Sequence, residues 1–405
     1  MDTGRKAIKA LAKEAALLPQ EELLQVKAGQ EDLTIGIPLE TSLQEKRVAL
    51  VPESVALLVA HGHEVLVETC AGKLSHYSDI DYSESGARII YDRKKVFEAG
   101  LVLKVEPPSI EEVKMMSRGA TLVSALQLSM QDENLLEALS DKKITAIAWD
   151  YLKNKNGLFP LVRAMGEIAG NVAILIAGEL LSGEKGRATM LGGISGVRPS
   201  EVVILGAGTV GEFAARAAMG LGAHVKIFDN RQHRLVRVQQ SLGTRVWTST
   251  IQPSVLNQAL KTADVAIGAL RGESQRTPVI VSEPMVSSMK EGAVIIDVSI
   301  DNGGCFETSR MTSHENPTFI DHDVIHYCVP NIASSVSGTA SQALSNIIAP
   351  FILGIVSDGG LVPSIRNSNI VKSGVYMYKG VITNRDIAEE RGLPYKALDL
   401  LLAAY

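Results

Sequence analysis

The chain has 405 residues, 46% hydrophobic and 21% charged, with a formal net charge of −5. This length and composition suit a globular protein of two domains with full cores, and they exclude a disordered chain. A mildly negative chain without a dense Lys/Arg cluster also excludes nucleic acid or an anionic membrane as the main partner, which leaves small molecules.

Residues 1–32 mix Lys and Glu with Ile8, Leu11, Ala15 and Leu18, so they read as an amphipathic helical extension and not as a signal peptide. From Leu33 the pattern alternates. Apolar strands are expected at Thr34–Ile37, Glu64–Val67, Leu101–Lys104, Thr121–Ser124 and Ile144–Ala148, with helical periodicity at Ser54–His61, Lys94–Ala99 and Glu133–Leu139. A long helix from Gly166 to Gly183 leaves this unit, and a second αβ series starts at Glu201. Its later strands are expected at Ala263–Ile267 and Ala293–Val298, with Val324–Val329 as the last. Helices follow from Ala340 to Ser357 and from Asn384 onward, and they are most economically packed back on the first unit.

The expected fold class is therefore α/β, with two doubly wound, Rossmann-like domains and a cleft between them. Residues 33–165 and 338–405 form one domain and 166–337 the other. The apolar stretches Val172–Leu181 and Ala343–Val356 fall short of the roughly 18 apolar residues of a membrane span and read as buried helices. Cys70, Cys305 and Cys328 are too few for a disulfide framework or a zinc site, so buried thiols in a reducing cytoplasm are expected, with no metal.

The most specific local signal is Glu201-Val-Val-Ile-Leu-Gly-Ala-Gly-Thr-Val-Gly211, followed by a helical run and then Ala223-His-Val-Lys-Ile-Phe-Asp229. A strand enters Gly206-x-Gly208-x-x-Gly211, a helix follows, and a second strand ends on an acid about 20 residues later, as a dinucleotide site requires. Gly206 permits the turn, Gly208 lets backbone approach a pyrophosphate, and Gly211 lets helix and strand pack closely. Asp229 accepts from ribose hydroxyls and repels a 2′-phosphate, which favours NAD, while Arg231 and Arg234 nearby leave NADP open.

Longer motifs carry a resemblance. Glu45-Lys-Arg-Val-Ala-Leu-Val-Pro52, Gly62-His-Glu-Val-Leu-Val-Glu68, Met165-Gly-Glu-Ile-Ala-Gly170, Leu191-Gly-Gly-Ile-Ser-Gly-Val-Arg-Pro199 and Asp301-Asn-Gly-Gly-Cys-Phe-Glu-Thr-Ser-Arg310 resemble L-alanine dehydrogenases. The likeness runs from about Thr34 to the C-terminus. It extends to the NAD-binding subunit of nicotinamide nucleotide transhydrogenase, but the last motif and His326-Tyr-Cys-Val-Pro-Asn331 are similar to the alanine dehydrogenase branch.

The resemblance implies NAD-linked oxidation of L-alanine to pyruvate and ammonium by a cytoplasmic homo-oligomer, often a hexamer. It places the substrate arginine on Arg47, whose guanidinium fork suits a carboxylate. It places the catalytic aspartate on Asp301, as base for the water or ammonia that attacks C2. Cofactor contacts fall on Thr209, Val210, Asp229, Arg234, Leu270, Val298, Ser299, Ile300, Asp301, Arg310, Val329, Pro330, Asn331 and Ile332, at strand ends or in the loops beyond.

Two positions depart from the pattern. The substrate lysine expected two residues after Lys104 is Glu106, and the catalytic histidine is Gln127, in Ala125-Leu-Gln-Leu-Ser129. Gln127 can donate to an oxo group but has no proton that titrates near pH 7. Glu106 would repel a substrate carboxylate unless Lys104 swings in, or unless Glu106 pairs with Arg47 or Lys104 or reads a positive group on a larger amino acid. His76 and His326 lie in contexts that do not match the missing histidine. A non-catalytic NAD(H)-binding protein is thus an alternative, favoured by both substitutions and opposed by Arg47 and Asp301. A transhydrogenase-type subunit is a third.

Overall fold

The computed structural model describes residues 33–42, 45–127, 133–272 and 276–403, so the extension expected over residues 1–32 lies outside the described residues. The first sheet contains β1 (Thr34–Ile37), β2 (Glu64–Glu68), β3 (Arg88–Ile90), β4 (Leu101–Leu103), β5 (Thr121–Ser124) and β6 (Thr145–Ala148). These six run parallel in the order β3-β2-β1-β4-β5-β6.

The second sheet contains β7 (Glu201–Leu205), β8 (His224–Phe228), β9 (Trp247–Ser249), β10 (Val265–Gly268), β11 (Val294–Asp297), β12 (Thr318–Asp321) and β13 (Val324–Tyr327). Its order is β9-β8-β7-β10-β11-β13-β12, parallel except for the β12–β13 hairpin. Both sheets are doubly wound. In each, the first strand is flanked on one side by the second and on the other by the fourth, so the strand order reverses there and a crevice opens beyond the carboxyl ends.

Burial explains why these strands read as unbroken apolar runs. All five residues of β7 and all four of β10 and β11 are buried, because helices cover both faces. Val202, Ile204, Val265, Ile267, Val294 and Ile296 point into one core and Val203, Leu205, Ala266 and Ile295 into the other.

Strand Val324–Tyr327 is the last of the second sheet, as expected, but not the last of the chain. Two more strands extend the first sheet: β14 (Val375–Tyr378) pairs antiparallel with β6, Val375 opposite Ile147, and β15 (Val381–Ile382) pairs antiparallel with β14. All four residues of β14 are buried, so its sequence, VYMY, shows no polar alternation to mark it. The helix expected from Gly166 starts earlier and spans Pro160–Ser182, because Pro160 is pre-set for a first helical turn. By length and composition alone it and Ile332–Ser357 are each apolar enough to cross a membrane, although their apolar runs had read as too short. Both contribute to cores: Ala173, Ile174 and Leu181 pack under the second sheet and Leu344, Ile348 and Ile352 under the first. Cys305 and Cys328 are buried, but Cys70, expected to be buried, is exposed.

Candidate active site

The segment after β1 carries the first set of site residues. Arg47 is buried and donates through Nε to Glu45 Oε1 (2.7 Å) and through Nη2 to Oε2 (2.6 Å), a two-pronged ion pair. Burial alone would disfavour both charges, yet their attraction wins: the Glu45 carboxyl is held below its usual range and the Arg47 guanidinium above. Arg47 Nη1 points at Met165 Sδ (3.2 Å), a soft contact that a stronger acceptor would replace.

Three serines from beyond residue 330 hold this segment's backbone. The N–H groups of Lys46, Val48 and Val51 donate to the hydroxyls of Ser334 (2.8 Å), Ser341 (3.0 Å) and Ser345 (3.0 Å). Each buried N–H is thereby satisfied, and Arg47 is fixed against the Ser337–Ser357 helix.

Beyond β4, Lys104 is also buried. Its ammonium meets Glu40 Oε2 (2.8 Å) and Glu112 Oε1 (3.4 Å), and Arg93 in turn pairs with Glu112 and Glu68. Lys104 is therefore engaged within its own domain. Glu106, two residues on and half-buried, hydrogen-bonds Ser42 and lies within range of Arg47's charge. Burial, then Glu45 and Glu40, push its carboxyl up to about 7, against the lowering by Ser42 and Arg47.

Gln127 follows β5 with a left-handed φ of 43°. Asp150 braces it: the carboxylate accepts the N–H of Leu126 (2.8 Å) and of Gln127 (3.4 Å). Burial raises the Asp150 carboxyl, opposed by those bonds and by Arg271 from the loop after β10.

The second sheet presents its own set across the gap. Gly206 has a φ of 113°, reserved for glycine, and a Cβ on Gly211 would lie 1.8 Å from Gly206 O. A Cβ on Gly208 would meet nothing within 4 Å, so the space in front of it is open. Gly208 caps the Thr209–Gly220 helix, and Thr209 and Val210 form its first turn, where unpaired N–H groups favour an anion. Asp229 is buried, and its carboxylate accepts Ala207 N–H (2.8 Å) and Arg231 N–H (2.7 Å), so it shapes the glycine loop as well as facing it. Arg234 approaches Asp229 at 3.9 Å.

The later loops converge on the same edge. Leu270 N–H donates to Ser299 Oγ (2.9 Å). Val298 to Asp301 lie in a 3-10 turn that closes on Gly303, in the left-handed region at 99°. Asp297, buried beneath them, accepts from Ser299 N–H (3.0 Å), Cys305 N–H (2.9 Å) and Ser309 Oγ (2.7 Å), which fixes the loop. Asp301 itself is exposed, and its Oδ1 accepts Asn331 N–H (2.8 Å); the protein packed around it raises its carboxyl above the usual range, against the lowering by that bond and by Arg47.

Arg310 is exposed and stacks over Phe319 of β12, 3.8 Å from the ring centroid. Val329 and Ile332 are buried in the second core, with Pro330 and Asn331 half-buried between them. His326 is fully buried, bonded to Thr308 Oγ1 and to Val324 O, and does not enter the cleft.

Asn331 joins the two sets. Its backbone N–H donates to Asp301 Oδ1 (2.8 Å) and its side-chain amide to Glu45 Oε2 (2.7 Å). The loop after β1 of one domain thus meets those after β11 and β13 of the other. Sequence reasoning missed Glu45, Asp150 and Asp297 as supports. Only Glu45 left a signal, an acid two residues before the arginine.

Two doubly wound domains closing on a cleft, one with an open glycine loop at a helix start and the other with a buried guanidinium, define a dinucleotide-dependent oxidoreductase. The alanine dehydrogenase/PNT N-terminal domain matches residues 36–169 and the C-terminal domain of that family residues 173–385. The chain belongs to the alanine dehydrogenase/PNT family. It is 37% identical to alanine dehydrogenase 2 of Staphylococcus aureus over 369 residues, 91% of this chain and 99% of that protein. Among solved structures, an L-alanine dehydrogenase superposes with a TM-score of 0.83 at 34% identity, covering 89% of this chain and 99% of that one. A transhydrogenase from Sinorhizobium meliloti shares the fold, with a TM-score of 0.74 at 22% identity over 86% and 99% of the two chains.

Proposed function

We propose that this protein is an NAD-dependent amino-acid dehydrogenase that reversibly converts an L-amino acid, with L-alanine the reference substrate, to the 2-oxo acid and ammonium. The amino acid and water yield oxo acid, ammonium and a proton, while the hydride from C2 goes to NAD. The observation that carries this reading is the convergence of Arg47 and Asp301, from opposite domains, through Glu45 and Asn331.

The glycine loop fits a dinucleotide: Gly208 leaves room for a pyrophosphate, the first turn of the following helix supplies N–H donors, and Asp229 would hold the ribose. When bound, the nicotinamide supplies a hydride acceptor. Arg47 Nη1 grips the substrate carboxylate in place of Met165 Sδ. Asp301, whose carboxyl is raised above its usual range, takes the proton from the water that attacks C2. Gln127 orients the oxo group through its amide, without donating a proton.

Residues 33–165 with 338–405 serve as the substrate domain and 166–337 as the cofactor domain. A cytoplasmic homo-oligomer, a hexamer by resemblance, accords with the exposed apolar side chains of Leu175, Met190 and Leu221 around one hollow. The test is NADH formation by the purified chain over a panel of small L-amino acids. Tight NADH binding without turnover on any of them would favour the second reading, a non-catalytic or altered-specificity NAD(H)-binding homologue, which Glu106 and Gln127 support.

A further inference from the structure

Charge matching around the crevice singles out one residue. Arg47 is already matched by Glu45 in a two-pronged pair. Lys104 is matched by Glu40 and shared with Glu112, and Arg93 is held between Glu112 and Glu68. The charged groups facing Glu106 are Glu40, Glu45 and Arg47 from the segment after β1, and the polar group that bonds it is the Ser42 hydroxyl. The two carboxylates repel it, and the one cation is committed to Glu45. Among the described residues Glu106 is therefore an acid without a counter-charge of its own, and it is half-buried within range of Arg47's charge.

We propose that Glu106 forms a cation-binding subsite beside Arg47, so that the preferred substrate is an L-amino acid whose side chain ends in an ammonium or guanidinium group. This rests on the reading of the cleft as an amino-acid site and specifies the substrate class. Arg47 takes the carboxylate, Asp301 faces C2, and Glu106 takes the distal cation. A bound cation supplies the missing counter-charge and favours the ionised acid. Since the empty site holds the Glu106 carboxyl up to about 7, binding of such a ligand expels a proton below that pH.

The experiment is calorimetric titration of the full chain, loaded with NADH, with L-ornithine, L-lysine and L-alanine at pH 6 and pH 8. One basic amino acid binds at least about tenfold more tightly than alanine, the scale of one charge-assisted contact. Its affinity rises about tenfold from pH 6 to pH 8, as one linked proton requires. Glu106→Gln removes both the preference and its pH dependence while NADH binding persists, and Glu106→Lys turns the preference toward alanine. Retained NADH with equal or tighter binding of alanine, with no binding of the basic amino acids, or with an unchanged preference in Glu106→Gln overturns this inference alone. Failure to bind NADH overturns the dehydrogenase reading and the inference with it.

Discussion

Asp301 and Glu45, carboxylates of opposite domains, are linked through one residue: Asn331 gives its backbone N–H to the first and its side-chain amide to the second. Asn331 also has a left-handed φ of 55°, which asparagine tolerates better than alanine. Asn331→Gly keeps that backbone and deletes only the bond to Glu45. It lowers kcat/KM by about tenfold with little change in melting temperature, whereas Asn331→Ala adds a strain of roughly 1–2 kcal/mol. Steady-state kinetics and thermal melts on the pair check this.

The glycines of the loop separate folding from binding. Gly208→Ala places a methyl in open space, so the protein melts as the parent does but loses about tenfold or more in NADH affinity, because the pyrophosphate no longer approaches the backbone. Gly211→Ala drives the new Cβ into Gly206 O and destabilises the fold itself. Equal loss of NADH affinity and of stability in both variants contradicts the assignment.

Asp229 braces Ala207 N–H, and on the proposed reading it would also hold the ribose. Asp229→Ala weakens NADH binding by about 10–100-fold through the lost acceptor and loosened loop. NADPH suffers less, since removal of the carboxylate leaves Arg231 and Arg234 to meet a 2′-phosphate. The ratio of the two affinities, measured by fluorescence titration, shifts toward NADPH.

Acid sensitivity of the second domain centres on Glu201. Burial of this residue acts to raise its carboxyl, but hydrogen bonds from Lys226, Thr262 and Arg198 outweigh it and bring the value from an ordinary 4.5 down to about 2. A folded value below the unfolded one stabilises above the unfolded value and loses that contribution as the pH falls through the folded one. Glu201→Gln is therefore less stable than the parent by about 1–3 kcal/mol at pH 7. The gap narrows as the pH falls below 4.5 toward 2. Denaturant melts of both proteins across that range show it.

Much of the cofactor half is legible in the residues themselves: an apolar strand, spaced glycines and a terminal acid impose nearly the whole local geometry. Buried parallel strands such as β7 and β10 are readable for the same reason. Short strands that are partly exposed, unlike the buried β4, are not. β3 and β9 have three residues each, too few for a period, and β14 lacks alternation because both its faces are covered. In the site, Arg47 stood out only through resemblance, since an isolated arginine after a strand resembles any solvated charge. The fates of Lys104, tied to Glu40 and Glu112, and of Asn331, bridging two domains, depend on contacts 64 and 286 residues apart in sequence, which no local pattern encodes.

The most direct measurement uses an amino-acid substrate deuterated at C2, with Asp301→Asn beside the parent. The account predicts deuterium on the nicotinamide of the NADH formed by the parent. It predicts that Asp301→Asn still binds NADH and turns over at least about 100-fold more slowly, the scale of a lost general base. Turnover by Asp301→Asn at the parent's rate, or reduced nucleotide without the label, would contradict it.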